Sequence, residues 1–474
     1  MRQGNIGIVS YGSYVPFNRL RRAAIGEALG KRAGVGERAV ASYDEDSVSM
    51  AVEAMRCCLA RVTEPGQVES LFLASSSPPY VEKLNSSAVH AACGLASPVR
   101  CLDVGNSARA GLSALITAAR CAGDGRLSAV VMSDVCAGAP EGPAELELGD
   151  AAAAFVLGSD GVLARIAASY SESREYLASW RLPEEKFGHS WEERFSLTQA
   201  FVPLLGRALN AICEAAGVGP GELDAVIVDA PNRRAAVAVA KAAGLRSEQL
   251  VDDLRDSVGY SRAAHAGLML AAALDSAYPG QRIAILSVSD GVDALMLETT
   301  EALGAFEAKR SVSSLVASKR NDLAYTSYLK WRGILDTEPP RRPDPDRPAA
   351  PPSFRAERWK FGFVGSRCNS CGTNHLPPQV VCVECGATGE MSEVPLAESR
   401  AHIRTFTVDR LAFSPQPPVV VAMVDFDGGG RFQSELTDCE PDRVAIGDEV
   451  EMTFRRLFTA GGVHNYFWKA RPLR

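Results

Sequence analysis

The chain reads as an α/β fold followed by a small metal-binding ribbon and a closed β-barrel. Three observations carry this. Up to about residue 305, short β-branched runs alternate with Ala-rich helical stretches, the pattern of an α/β fold with buried sheets. Next come Cys368-x-x-Cys371 and Cys382-x-x-Cys385, ten residues apart, a spacing that sets four thiolates tetrahedrally around one zinc ion. Beyond about residue 398 the pattern becomes all-β, and five short strands after a zinc ribbon point to a barrel of the OB type.

In chain order, strands are predicted at 6–10, 70–74, 129–133, 225–229 and 282–287. Helices are predicted at 47–61, 86–93, 109–122, 197–216, 235–243 and 263–276. The polar stretch 174–189 should lie on the surface. Residues 314–335 read as one amphipathic helix, and the Pro-rich stretch 338–352 as an extended connector. Gly372 and Gly386 directly follow the second cysteine of each knuckle. Glycine there permits the positive φ that turns backbone N–H groups toward the thiolates. Such a site is closed and structural, so the chemistry must lie elsewhere. The barrel strands are predicted at 402–408, 419–425, 431–436, 449–454 and 465–470. The domains implied are 1–165, 166–305, a helix and connector at 306–352, the ribbon at 353–395 and the barrel at 396–474.

Bulk numbers narrow the function. With 474 residues the chain needs two or three cores. Hydrophobic residues at 46% and charged residues at 23% are ordinary for a globular protein. A net charge of −7 without a basic, aromatic-laced stripe argues against nucleic acid as a partner. No apolar run is long enough to cross a membrane, and the N-terminus lacks a signal-peptide core. Eight of the 12 cysteines lie outside the knuckles, scattered in apolar surroundings, which suits a reducing cytoplasm.

The first part of the chain resembles the ketoacyl synthase III and hydroxymethylglutaryl-CoA synthase branch of the thiolase superfamily. The residues that carry this are Gly7-Ile-Val-Ser-Tyr-Gly-Ser-Tyr-Val-Pro16, Tyr43-Asp-Glu-Asp-Ser47 and Leu148-Gly-Asp-Ala-Ala-Ala-Ala-Phe-Val-Leu157. The last third resembles the zinc-ribbon plus OB-fold domain that accompanies thiolase-like proteins in acyl-CoA metabolism. Its marks are the four cysteines, Leu376-Pro-Pro378, Gly447-Asp-Glu-Val450 and Tyr466-Phe-Trp-Lys-Ala-Arg-Pro472. The resemblance implies a five-layered αβαβα thiolase-type fold, an acyl-CoA ligand and structural zinc. It also implies a homodimer, with strands such as 129–133 or their neighbours near the two-fold, or a complex with an active thiolase.

Such acyltransferases attack a thioester with a cysteine thiolate at a helix start. Aligned with the family's Asp-x-x-Asn-Ala-Cys-x-x-Gly, the segment from Asp103 to Gly111 puts Ala108 at the nucleophile. Asp229 falls where the family has histidine, Tyr260 where it has asparagine or histidine, and the Ser75–Tyr80 region lacks the synthases' glutamate. Covalent acyl transfer by the usual route therefore cannot begin here. Cys101, two residues before Asp103, reads as a core hydrophobe on a buried strand, Cys136 as a residue able to approach the pocket, and His265 as a satisfied core histidine. Arg109, a cation at a helix start, is a candidate substrate-binding residue with Asn232, or else pairs with Asp103 or Glu147. Three functions compete: a degenerate scaffold or partner of an active thiolase, a cysteine-independent enzyme such as an acyl-CoA retro-aldol lyase using Tyr260 and Asp229, and a pure binding protein for CoA esters or nucleic acid.

Overall fold

The computed structural model describes residues 5–474 except 33, 63, 124, 340, 342 and 344. It divides into two compact units, the first comprising residues 1–41, 46–87 and 95–325, the second 42–45, 88–94 and 326–474.

The first unit is built on nine strands in the order Ala225–Asp229, Arg282–Ser289, Gly291–Thr299, Ala164–Ser173, Gly7–Tyr14, Ala151–Gly158, Leu127–Asp134, Val68–Ser75 and Arg100–Gly105. Two sub-sheets meet where Gly7 pairs with Arg165 and Ile8 with Ala164. Helices Ala110–Cys121 and His265–Ser276 pack between the sub-sheets. Helix Ser47–Leu59 covers one outer face, and Val202–Ala216 with Arg234–Ala243 the other. These are the five layers αβαβα. The buried strands read Ala-Val-Ile-Val and Ala-Ala-Ala-Ala-Phe-Val-Leu without alternation because both faces are covered. Asp46 caps the first outer helix by accepting from Val48 N and Ser49 N, while Ser49 Oγ accepts from Asp46 N.

Several expectations need correction. The strand before the helix, Arg100–Gly105, is an edge strand, and Cys101 on it is half-buried instead of core. The amphipathic helix 314–335 is two short helices, Val312–Ala317 and Tyr325–Trp331. The break follows from Arg320, whose main chain accepts from Arg19 N and donates to Phe17 O. The Ser, Asn and Asp residues nearby favour such non-helical pairing. The connector ends earlier than expected, since Pro351 and Pro352 open the helix Ala350–Arg355, where a missing N–H costs nothing. Residues 340, 342 and 344 of the connector lie outside the described residues.

In the second unit a three-stranded ribbon, Asn374–His375, Val364–Cys368 and Met391–Pro395, precedes a closed barrel in the order Ala401–Asp409, Val419–Phe426, Arg431–Leu436, Val463–Pro472 and Glu449–Ala460. Charges are buried in this unit. Arg455 meets Asp438 at 2.6 Å and Glu45 at 2.8 Å, and Lys469 meets Asp44 at 3.0 Å and Glu435 at 2.7 Å. Burial alone would raise the Asp44 carboxyl, but Lys469 and Arg455 hold it at about 2. The Tyr43-Asp-Glu-Asp-Ser motif is thus shared: Asp44 and Glu45 serve these ion pairs, and Asp46 caps a helix of the other unit.

Candidate functional site

The metal site assembles as the spacing requires. The four Sγ atoms of Cys368, Cys371, Cys382 and Cys385 lie within 4.8 Å of one another, with Cys368 and Cys385 at 3.7 Å and Cys371 and Cys382 at 3.5 Å. Thiolates about 2.3 Å from a tetrahedral zinc stand about 3.8 Å apart, so the cluster fits one zinc ion. Gly372 and Gly386 adopt φ of 79° and 73°. Their N–H groups donate to the carbonyls of Cys368 and Cys382, which closes each knuckle.

In the first unit two of the predicted positions, Asp229 and Tyr260, meet at the turn at 259–264. Gly149 N donates to Tyr260 O and Tyr260 N to Glu147 O, which ties this turn to the Gly-Asp motif. A Cβ at Gly149 would sit 1.8 Å from Val258 O, so only glycine permits the approach. Asp150 then accepts from Ala41 N and Cys136 N, each at 2.7 Å. Gly111 plays the same part at the helix start, where a Cβ would fall 2.1 Å from Ala263 O. Helix Ala110–Cys121 is thereby held against the turn.

Ala108 lies in the turn ahead of that helix, with Asn106 at φ 71°. Ser107 Oγ donates to Asp290 Oδ1 at 2.6 Å. Arg109 pairs with Asp293 at 2.9 Å and Asp290 at 3.4 Å, not with Asp103 or Glu147. Two carboxylates explain a cation tolerated at a helix start. Asp103 instead accepts from Asn85 N and Ser86 N at the beginning of helix Ser86–Ala92. Asn232 Oδ1 accepts from Arg234 N at 2.9 Å, a turn that leads into helix Arg234–Ala243.

Asp229 and Tyr260 are brought together, both buried. Asp229 Oδ2 accepts from Ser287 Oγ at 2.6 Å. Its Oδ1 and the Tyr260 hydroxyl complete no hydrogen bond of ordinary geometry, although each group shifts the other's ionisation. Burial raises the Asp229 carboxyl to about 7, against the opposing pull of Ser287 and Arg255. Burial and the Asp229 charge push the Tyr260 phenol well up, so it stays protonated. The Arg255 guanidinium lies 4.3 Å from the Tyr260 ring centre, and the His265 ring stands edge-on at 4.9 Å. His265 is in the core as expected, and its Nδ1 accepts from Ser261 N at 3.4 Å, while Nε2 completes no hydrogen bond of ordinary geometry. Burial and Arg255 drive its pKa well down, leaving a neutral imidazole.

Beside Tyr260, packed with Cys136 and Leu148, opens a cavity of about 250 Å³. Cys136 lines it as expected, and burial with the Asp134 and Asp150 charges pushes its thiol well up, which disfavours the thiolate. The Ser75–Ser77 turn, where the synthases' acid was missed, is fixed by Asp134 from the next strand. Asp134 accepts from Ser75 Oγ, Ser76 N, Ser76 Oγ, Ser77 Oγ and Ala263 N. Sequence reasoning passed over Asp134 and Arg255. The run of serines at 75–77 was the available signal that a carboxylate must stand opposite.

Comparison with known proteins agrees with this architecture. Residues 213–297 match the family described as 3-oxoacyl-[acyl-carrier-protein] synthase III C terminal. Residues 362–391 match the ChsH2 rubredoxin-like zinc ribbon domain, and 393–455 the ChsH2 C-terminal OB-fold domain. The hydroxymethylglutaryl-CoA synthase of Caldivirga maquilingensis is 30% identical over 344 residues, covering 70% of this chain and 98% of the relative. That of Methanopyrus kandleri is 29% identical, over 69% of this chain and 96% of its own length. Among solved structures, MvaS in complex with 3-hydroxy-3-methylglutaryl coenzyme A superposes with a TM-score of 0.60 at 20% identity, covering 72% of this chain and 94% of that one. The 3-oxoacyl-[acyl-carrier-protein] synthase III of Aquifex aeolicus VF5 does so with 0.55 at 21%, over 62% and 99%.

Proposed function

The chain belongs to the hydroxymethylglutaryl-CoA synthase family, with a zinc ribbon and OB-fold domain fused to it, and from that premise we propose that it makes or breaks a carbon–carbon bond of an acyl-CoA by proton transfer, without an acyl-enzyme. One observation carries the reading. Asp229 and Tyr260, at the positions of the family's acid–base pair, are buried against each other, and Asp229 Oδ1 and the Tyr260 hydroxyl complete no hydrogen bond of ordinary geometry. Leaving buried polar atoms unpaired costs stability, and such cost concentrates where a substrate supplies the partner.

In the cleavage direction, the Asp229 carboxylate takes the proton of a 3-hydroxyl. The C2–C3 electrons move onto the thioester as an enolate, and the C3 fragment leaves as an aldehyde or ketone. The protonated Tyr260 phenol then returns a proton to C2 and recovers one from the Asp229 carboxyl, which restores both groups; in reverse, Asp229 draws the phenol proton as the phenol oxygen takes the proton of C2. A carboxyl near 7 divides between acid and base at neutral pH, the condition for general catalysis. Neutral His265 and the Arg255 cation steady the phenol from either side. NMR of a 3-hydroxyacyl-CoA incubated with the protein should show the free carbonyl product and the shortened acyl-CoA. Asp229→Asn should abolish both.

The second reading, a scaffold that works on an active thiolase, is favoured by Ala108, which has no lone pair to offer, and by the fused ribbon and barrel. Activity that appears only when a thiolase is added, and that survives Asp229→Asn, selects it. In either case we propose a homodimer, checked by light scattering against the 50.4 kDa chain mass.

A further inference from the structure

We infer that Arg255 is a positioning residue of the candidate site, tying the strand end that carries Asp229 to the turn that carries Tyr260. The inference rests on the acid–base reading above and deepens it. The Arg255 side chain is buried and reaches both elements at once. Its guanidinium donates to the carbonyls of Ala230 and Pro231, the two residues that follow Asp229. The same group lies over the Tyr260 ring, 4.3 Å from its centre. The backbone around it is held in turn. Arg22 Nη2 donates to Arg255 O at 2.5 Å, and Asp253 Oδ1 accepts from Arg255 N at 3.1 Å. Leu254 adopts φ of 54°, which a side chain other than glycine takes only under constraint.

The charge of Arg255 is only loosely matched. Among the described residues the carboxylate paired with it, Asp253, stands 3.9 Å away and meets Arg233 more closely, at 2.8 Å. A guanidinium stays charged throughout the ordinary pH range, and at a buried site its field is weakly screened. That cation favours the carboxylate form of Asp229, against the burial that favours the neutral form. Other groups face the pair from other elements. Ser287 on the neighbouring strand donates to Asp229, and His265 on the following helix is a neutral imidazole. Arg262 and the uncharged Cys136 thiol act on Tyr260. Of the two arginines, Arg255 is the one that bears on both Asp229 and Tyr260 among the described residues.

NMR of the full chain labelled at the aspartate carboxyl carbons reads the Asp229 titration without substrate, with the resonance assigned by its loss in Asp229→Asn. The wild-type midpoint should lie at about 7. Arg255→Gln can still donate to a carbonyl but carries no charge, and should raise the midpoint by about one pH unit. Arg255→Lys keeps the charge and should hold it within about 0.3 of the wild type. The pH profile of deuterium exchange at C2 of acetyl-CoA should move by the same amounts. Asp253→Asn, at a partly exposed position, frees the cation and should lower the midpoint, a test that stands even if Arg255→Gln does not fold. A midpoint that stays put in Arg255→Gln, that moves as far in Arg255→Lys, or that fails to fall in Asp253→Asn would overturn the inference, since Arg255 would then merely brace the turn. If the titrations move as expected but the wild type exchanges no deuterium, the acid–base reading falls and the positioning role stands.

Discussion

Asp229→Asn isolates the thermodynamic cost of the candidate site. The carboxyl sits near 7 in the folded chain against an ordinary 3.8, with burial as the main cause. The native state therefore holds this proton more tightly than the unfolded chain does. Between pH 3.8 and 7 the native state binds more protons, so stability falls as pH rises through that window and levels off above it. Three pKa units correspond to about 4 kcal/mol of stability missing at pH 8, and to less than about 1 kcal/mol at pH 4. Asparagine has the same shape, stays neutral and can still accept from Ser287 Oγ. The variant should thus be more stable than wild type by up to about 4 kcal/mol at pH 8, with the gain shrinking toward pH 4. For a unit this large, each kcal/mol moves the midpoint by about 1.5 °C, so thermal melting should show a rise of about 6 °C at pH 8. Stabilisation by removing a side chain is expected where function is served at the expense of stability. A lower melting point for the variant at pH 8, or a difference that does not change with pH, would refute the reasoning.

Four further outcomes follow from the same structure. Freshly purified protein should carry one zinc per chain, and Cys368→Ser should lower the content toward zero in metal analysis. Gly149→Ala should cost about 3 kcal/mol or prevent folding, read by denaturant melts, because its Cβ meets Val258 O at 1.8 Å. Lys469→Met should cost about 3–5 kcal/mol, because it leaves Asp44 buried with less counter-charge. Its effect should fade as pH falls from 3.8 toward 2, where Asp44 takes up a proton and the wild type loses the benefit of a depressed carboxyl. Ala108→Cys should not self-acylate from acetyl-CoA in intact-mass measurements, since the carboxylate at 229 cannot lower a thiol pKa as an imidazolium would.

What could be read in the sequence was whatever repeats with a fixed period or spacing. The knuckles gave the metal site residue by residue, because four thiolates and two positive-φ glycines leave few alternatives. The alternation of strand and helix gave the layers. Placing Asp229 and Tyr260 at catalytic positions depended on family resemblance, and their pairing required the fold. Relations across distant segments stayed hidden. Nothing local marks Arg100–Gly105 as an edge strand, because edge and centre differ only in what lies alongside. The helix break at Arg320 comes from a strand near residue 18, some 300 residues away, that draws off its main-chain bonds. Arg109 found Asp290 and Asp293 for the same reason.

Deuterium exchange at C2 of acetyl-CoA in heavy water, followed by NMR together with the intact mass of the protein, tests the central claim most directly. The account predicts exchange that rises as pH increases through about 7, is lost in Asp229→Asn, and leaves the protein mass unchanged. An acyl adduct mapped to residues 101–111, or exchange that survives Asp229→Asn, would contradict it.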